Sequence, residues 1–121
     1  MVLVDTSVWI DHLRRGVPTL GSLLDEGLVL MHPFVLGELA CGQLNDRDAL
    51  LALLRDLREV AVATDGEALG FIERHKLMGK GLGYIDVHLL ASTVLEGGAS
   101  LWTRDKRLAR VADGMGLGYR V

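Results

Sequence analysis

The sequence predicts an α/β fold, with a mostly parallel sheet of four to five strands and helices on both faces. Two observations predict it. Short apolar runs at residues 2–4, 28–31, 60–63 and 100–103 alternate with longer segments of helical periodicity. The first run is apolar without alternation, which is typical of a strand buried on both faces in a parallel sheet. Because strands that alternate with helices pair in parallel, one sheet with two covered faces follows.

The composition indicates one globular domain over residues 1–121. Half of the residues are hydrophobic, which argues against disorder. The formal net charge of −3 excludes binding of nucleic acid through overall charge, but it leaves a local patch or a metal open. The single Cys41 rules out an internal disulfide and favours the cytoplasm. We expect neither a signal peptide nor a membrane span, since the start has no basic leader and the apolar runs are short.

Two helices are predicted between the first two strands. Apolar residues within 8–13 recur at helical spacing, and Gly16 ends that helix. Pro18 suits the first turn of a second helix, which Gly27 stops. Residues 28–31 return to an unbroken apolar run, so the second strand begins there.

A third helix begins at Pro33 and is apolar on almost every side except at Glu38. A carboxylate on such a helix is costly unless it has a partner or a site to serve. The alternative is that Glu38 belongs to a narrow polar stripe with Gly37 and Gly42. Both interpretations stay open at this point, and Glu38 is a candidate site residue.

The middle of the chain predicts two more helices around a weak third strand at residues 60–63. Asn45 or Asp46 is expected to cap the first of these helices. Its apolar stripe consists of Leu50, Leu51, Leu53, Leu54 and Leu57. Thr64 and Glu67 have the spacing of a capping box at the start of the second helix.

A glycine-rich loop at residues 79–83 precedes the helix Tyr84–Glu96. The loop lacks the spacing of a phosphate-binding motif, so it is interpreted as a flexible turn. Apolar side chains cover nearly every face of the helix, which predicts a central, buried position. A fourth strand follows at 100–103, then a last helix that ends near Asp113, and finally an edge strand at 117–121.

Acidic residues stand where the predicted strands end. Asp5 follows the first strand and Asp105 follows the fourth, so both leave the edge of the sheet where chemistry gathers in open α/β folds. Asp86 lies in the first turn of the buried helix, and it reaches that edge only if the glycine loop carries the helix start across it. Glu38 can approach from the helix after the second strand. Each of the aspartates also has a simpler interpretation as a helix cap.

Carboxylates without basic partners repel one another in a shared cleft, and hard divalent cations relieve that repulsion. Ligation by oxygen alone favours Mg²⁺ or Mn²⁺ over zinc. The four histidines show no zinc-like spacing with one another or with Cys41. The acids therefore predict a magnesium or manganese site if the fold brings them together.

Four stretches of the sequence resemble the motifs of PIN domains, and more narrowly those of VapC toxins of bacterial toxin–antitoxin pairs. They are Val-Asp-Thr-Ser-Val-Trp from residue 4, His-Pro-Phe-Val-Leu-Gly-Glu-Leu-Ala from 32, Gly-Leu-Gly-Tyr-Ile-Asp-Val-His-Leu-Leu-Ala from 81, and Leu-Trp-Thr-Arg-Asp from 101. Each is short, but they occur in the family's order across the whole chain. The resemblance implies a PIN-like three-layer sandwich and a metal-dependent ribonuclease that acts as a toxin.

The resemblance also implies which residues form the site. The acids that it assigns as catalytic groups and metal ligands are Asp5, Glu38, Asp86 and Asp105. Thr103 supports them, Thr6 or Ser7 steadies Asp5, and the start of the helix that carries Asp86 enters the cleft. A small VapB-like antitoxin is the implied inhibitor, and a homodimer is the expected assembly.

One position departs from the family pattern. Many relatives have a further acid two residues after the last one, where this chain has Arg107, so one tightly held ion is expected. A local basic cluster next to the site suits the phosphates of an RNA substrate. It consists of Arg104, Lys106, Arg107 and Arg110. Its simpler interpretation is the solvated surface of the last helix.

Other α/β proteins with an acid after the first strand fit less well. Phosphatases of the haloacid dehalogenase type need a second acid two residues later, where this chain has Ser7. A receiver-like binding module needs paired acids before its first helix, and these are missing, although Lys106 could stand for its lysine. A degenerate PIN domain that only binds a partner is the remaining alternative, and the intact acids argue against it.

Overall fold

The computed structural model describes residues 1–120 and is built around a sheet of four parallel strands. The strands are β1 (Val2–Val4), β2 (Val29–Met31), β3 (Arg58–Glu59) and β4 (Ser100–Trp102), and their spatial order is β3-β2-β1-β4. Every neighbouring pair runs parallel. The predicted α/β class is confirmed.

Within the described range, seven helices connect and cover these strands. They are α1 (Thr6–Arg15), α2 (Pro18–Asp25), α3 (Pro33–Cys41), α4 (Arg47–Asp56), α5 (Asp65–His75), α6 (Tyr84–Glu96) and α7 (Lys106–Gly114). All residues of β1 and β2 are buried. Because successive side chains of a strand point to opposite faces, both faces of the sheet are covered. None of the helices in residues 1–120 is long and apolar enough to cross a membrane.

The unalternated apolar run of β1 explains its position inside the sheet. Val2, Leu3 and Val4 are buried, as suits a strand with paired neighbours on both edges and helices on both faces. The pairing with β4 continues one residue further, since Asp5 donates its backbone N–H to the carbonyl of Trp102 (2.9 Å). Asp5 is therefore fixed at the carboxyl edge of the sheet.

The prediction of a strand at residues 60–63 is wrong, because the third strand ends before them. Side chains of α6 accept the backbone N–H groups that would pair with a neighbouring strand if β3 were longer. Ala61 donates its N–H to the carboxylate of Glu96 (2.8 Å), and Ala63 donates its N–H to the hydroxyl of Ser92 (3.2 Å). The segment therefore follows α6 instead of extending the sheet.

The start of α4 also differs from the prediction, whereas the start of α5 confirms it. Asp46 occupies the N-cap position of α4, but its backbone is left-handed (φ 49°) and its side chain makes no capping hydrogen bond. Arg47 holds the turn instead, with its guanidinium donating to two carbonyl groups at the end of α3. At α5, Thr64 and Glu67 form the expected capping box in both directions.

The expected edge strand at residues 117–121 is reduced to one bridge. Gly118 pairs in parallel with Leu101 of β4, whose N–H donates to the carbonyl of Leu117 (2.7 Å). The N–H of Leu117 bonds back to α7, which shortens the stretch that can join the sheet. Val121 lies outside the described residues.

A buried histidine holds the start of α3. His32 is completely buried at the N-cap position, and its Nδ1 accepts the backbone N–H of Phe34 (2.9 Å). That nitrogen must be unprotonated in order to accept. Burial lowers the pKa of His32 to about 4, and the neighbouring His88 acts in the same direction, because both disfavour a charged ring.

We expect protonation of His32 to destabilise the fold. An unfolded histidine has a pKa of about 6.5, so as the pH falls below that value the unfolded state gains a proton first and the free energy of unfolding decreases. Between pH 7 and 4.5, His32 should account for a loss of about 2–3 kcal/mol. Urea unfolding of wild type and His32→Asn at both pH values measures this loss, since Asn keeps a capping oxygen but does not titrate. The same pH dependence in both proteins would contradict a neutral, buried ring.

Candidate functional site

Asp5 is held in place by hydroxyl groups from two different elements. Its side chain is 8% exposed, and Oδ2 accepts hydrogen bonds from Ser7 Oγ (2.8 Å) and Thr103 Oγ1 (2.7 Å). Asp5 takes the N-cap position of α1, yet its side chain makes no capping hydrogen bond. The simpler interpretation as a cap therefore fails for Asp5, and Ser7, rather than Thr6, is the neighbour that steadies it.

Thr103 joins Asp5 to the acid at the start of α7. Its hydroxyl donates to Asp5 and accepts the backbone N–H of Asp105 (3.1 Å). Asp105 is itself a helix cap, with Oδ1 accepting the N–H groups of Arg107 (2.9 Å) and Leu108 (3.0 Å). Capping and a place in the site are thus compatible for Asp105, because the cap uses only one of its oxygens.

Glu38 is placed by Thr6, whose hydroxyl donates to Oε1 of the glutamate (2.7 Å) across the contact between α1 and α3. The sequence left two interpretations of Glu38 open, a carboxylate that serves a site and a member of a narrow polar stripe. Glu38 is exposed, as are Gly37 and Gly42, so the polar-stripe interpretation describes its surroundings. The role of Thr6 was not predicted, because the two residues are far apart in the sequence.

The pKa of Asp86 is affected by the charges of the other three acids. It is half-buried in the first turn of α6, and its Oδ2 accepts the backbone N–H of Gly83 (3.0 Å). Burial raises the pKa of Asp86, and the negative charges of Asp5, Asp105 and Glu38 raise it further, although the hydrogen bond from Gly83 opposes them. The glycine loop therefore brings the start of α6 to the edge of the sheet where the other acids lie.

The four carboxylates share one pattern of hydrogen bonding. Each uses one oxygen to accept hydrogen bonds from hydroxyl or backbone N–H groups, and within residues 1–120 the other oxygen accepts none. None of the four forms an ion pair with a described residue. The free oxygens give a donor set that fits a hard divalent cation. Within residues 1–120, no group of three or more His, Cys, Asp or Glu side chains is yet arranged closely enough to hold a metal ion.

Two members of the predicted basic cluster, Arg104 and Arg107, contact different parts of the fold. The guanidinium of Arg104 pairs with Asp11 of α1 (2.9 Å), which also pairs with Arg15. Arg107 instead lies against Gly81, where a Cβ atom would come within 2.9 Å of its Cδ. Gly81 also has a positive φ of 76°, so its backbone conformation favours glycine there. The close approach ties the glycine loop to α7.

The sequence and its relatives decide the family. The PIN domain family matches residues 2–114. The chain belongs to the PIN domain family. It is similar to proteins named Ribonuclease VapC32 from two strains of Mycobacterium tuberculosis, CDC 1551 / Oshkosh and ATCC 25618 / H37Rv. Each is 50% identical over 108 residues, which cover 89% of this chain and 87% of the relative. The predicted PIN-like sandwich and the similarity to VapC proteins are confirmed.

We expect Asp86→Asn to melt at a higher temperature than wild type in EDTA. Asn keeps an acceptor for Gly83 but removes a charge that partial burial and three neighbouring acids make unfavourable. The rise should be a few degrees, since about 1 kcal/mol shifts a domain of this size by roughly 3–6 °C. The variant should also lose the stabilisation that added Mg²⁺ or Mn²⁺ gives wild type.

The control for this measurement is Asp86→Ala, which removes the cap together with the charge. Asp86→Ala should melt at a lower temperature than Asp86→Asn in EDTA, because the N–H of Gly83 loses its acceptor. If both variants melt below wild type and respond to metal as wild type does, Asp86 is only a cap.

Proposed function

We propose that residues 1–121 act as a single-domain, metal-dependent endoribonuclease that hydrolyses RNA phosphodiester bonds as the toxin of a toxin–antitoxin pair. The observation that carries the proposal is the set of four acids at one edge of the sheet, each with a free oxygen and none with a cationic partner. The names of the VapC32 relatives support the substrate class.

The free oxygens of Asp5 and Asp86 are proposed as the principal ligands of Mg²⁺ or Mn²⁺, with Asp105 and Glu38 bound directly or through water. A divalent cation supplies positive charge for the phosphoryl oxygens and makes a water molecule more acidic. Arg107 stands where many relatives have a further acid, and for that reason we propose one tightly held ion.

The chain's own residues prepare the site for in-line attack on the phosphodiester. Ser7 and Thr103 fix Asp5 through neutral hydroxyls, so its negative charge stays available to the site. Thr6 directs Glu38 in the same way. Glu38 and Asp105 each keep an oxygen that can accept the proton of the attacking water.

The phosphates on either side of the scissile bond are proposed to meet the basic side chains that surround α7. The residues concerned are Arg104, Lys106, Arg107 and Arg110. Contacts to phosphate position the RNA without reading its sequence. Arg104 is already paired with Asp11, so its contribution should be weaker than that of the others.

Removal of any one acid should abolish most of the activity. We expect Asp5→Asn, Glu38→Gln, Asp86→Asn and Asp105→Asn each to lower metal-dependent RNA cleavage at least about a hundredfold, as loss of a charge contact in a transition state does. Asp56→Asn is the matched control, since Asp56 is an exposed acid at the end of α4 and outside the site. If a site variant cleaves RNA as well as the control does, the substituted residue is not part of the catalytic site. If wild type itself does not cleave RNA, a PIN domain that only binds a partner is favoured.

A VapB-like antitoxin is the proposed partner, and an apolar groove next to Glu38 is the proposed place for it. The groove has a volume of about 670 Å³. Its lining residues are Ile10, Leu13, Arg14, Glu38, Leu39, Gly42, Gln43, Leu44, Asn45 and Leu50. Ile10 is 43% exposed and Leu13 is 36% exposed, so an apolar segment would gain by covering them. An arginine on that segment could then pair with the carboxylates in place of the cation.

The groove can be tested in cells. Co-expression of the neighbouring antitoxin should restore growth to cells that make wild type, but not to cells that make Ile10→Asp, since a buried charge without a partner opposes docking. Purified Ile10→Asp should still cleave RNA, because its side chain is not among the acids. Full rescue of this variant would place the antitoxin elsewhere.

We also propose that two copies of the chain form a homodimer. A second apolar groove, of about 500 Å³, lies between α5 and α6. Leu69, Val94 and Leu95 leave large exposed apolar surfaces on these helices. Such a surface is more typical of an interface than of a solvated face.

A further inference from the structure

A cavity of about 480 Å³ lies between the end of α5, the glycine loop and α7. Its lining residues are His75, Leu77, Lys80, Arg107, Arg110, Val111, Gly114 and Met115. We call it the basic cavity, because basic side chains line it and no carboxylate does. The absence of acids is informative in a chain that has 16 Asp and Glu residues against 13 Lys and Arg.

The basic side chains of the cavity are not used for ion pairs. Among residues 1–120, neither His75, Lys80, Arg107 nor Arg110 pairs with an acid, whereas Arg15, Arg58 and Arg104 all do. Like charges that share a small volume repel one another, and an anionic ligand offsets that repulsion. The charge of the cavity therefore points to a ligand that carries negative charge.

Arg107 connects the basic cavity to the acidic site. Its backbone N–H donates to Asp105, while its side chain lies against Gly81 and lines the cavity. Two residues further along the same loop, the N–H of Gly83 donates to Asp86. The acids and the cavity are thus connected through one short loop.

The apolar residues that line the basic cavity indicate a ligand with an apolar part as well as a phosphate group. Leu77 is buried, and Val111 and Met115 are half-buried, so the cavity has an apolar wall beside its cations. A volume of about 480 Å³ is within the range of sites that hold small organic ligands. Cations together with an apolar wall match a nucleotide, whose phosphate is charged and whose base has two apolar faces.

We propose that the basic cavity binds a nucleotide of single-stranded RNA that flanks the scissile bond. Lys80, Arg107 and Arg110 meet its phosphate, and Leu77 and Met115 contact its base or sugar. The proposal rests on the proposed function and adds to it a discrete binding site, in which Lys80 takes part and Arg104 does not. A protein segment with acidic and apolar side chains is the competing occupant, and competition with an acidic peptide distinguishes it from RNA.

Binding of RNA without cleavage tests the cavity directly. The full chain in EDTA is titrated with a single-stranded RNA of eight nucleotides and with one of two nucleotides. The variants are Lys80→Gln and Arg110→Gln, which spare the contact between Arg107 and Gly81. Arg55→Gln is the matched control, since it removes an exposed charge from α4, outside the basic cavity and both apolar grooves.

We expect each variant to bind the longer RNA roughly tenfold more weakly than wild type, as loss of a hydrogen bond to a charged group does. The slope of log affinity against log salt should fall by about 0.7 for each lost phosphate contact. The dinucleotide fits in the cavity by itself, so it should also bind the variants more weakly than wild type. With metal present, KM for the longer RNA should rise in both variants and not in Arg55→Gln.

Three results would overturn the proposal. In the first, the Lys80 and Arg110 variants match Arg55→Gln in affinity, salt slope and KM while wild type still cleaves RNA. The proposed function would then still hold, but the cavity would not be an RNA site. Another is a dinucleotide that binds the variants and wild type alike. The third is inorganic phosphate or an acidic peptide that competes as well as the eight-nucleotide RNA. Failure of the proposed function is separate, because it would show as wild type that does not cleave RNA with metal.

Discussion

Repulsion among four carboxylates is the constraint on which the site depends. Asp5, Glu38, Asp86 and Asp105 lie toward the same edge of the sheet, where burial and the negative charges of the other three raise the pKa of Asp86. A lysine or arginine beside them would relieve the repulsion, but it would also consume the negative charge. The fold instead holds them with neutral donors, namely hydroxyl groups and backbone N–H groups. Such donors orient a carboxylate and leave its net charge unchanged.

The buried sheet is what makes this arrangement rigid. Asp5 directly follows a strand with paired neighbours on both sides, and its backbone bonds to the neighbouring strand at Trp102. Thr103, the next residue along that strand, bonds both Asp5 and the backbone of Asp105. One hydroxyl therefore links acids that are about a hundred residues apart in the chain. Hydrophobic burial around the strands stabilises a geometry that the charges by themselves would oppose.

Acidic and basic side chains lie on opposite sides of the glycine loop. Toward the sheet, the backbone N–H groups of Gly83 and Arg107 donate hydrogen bonds to Asp86 and Asp105. On the other side, the side chains of Lys80, Arg107 and Arg110 line the basic cavity without a carboxylate among them. Arg107 contributes to both sides, its backbone to one and its side chain to the other. This separation explains how a chain with a net charge of −3 can offer a polyanion a local place to bind.

The sequence by itself determined the features that depend on near neighbours in the chain. Unalternated apolar residues placed β1, apolar periodicity placed α6 at Tyr84–Glu96, and both strand-end acids were found from the order of elements. Tertiary structure decided what depends on competition between distant partners. Ala61 bonds to α6 instead of extending the sheet, Glu38 is exposed and bonded to Thr6, and Arg104 pairs with Asp11. The physical reason is that local periodicity reports which side of an element is apolar, whereas a hydrogen bond or ion pair depends on which distant group the fold brings within reach.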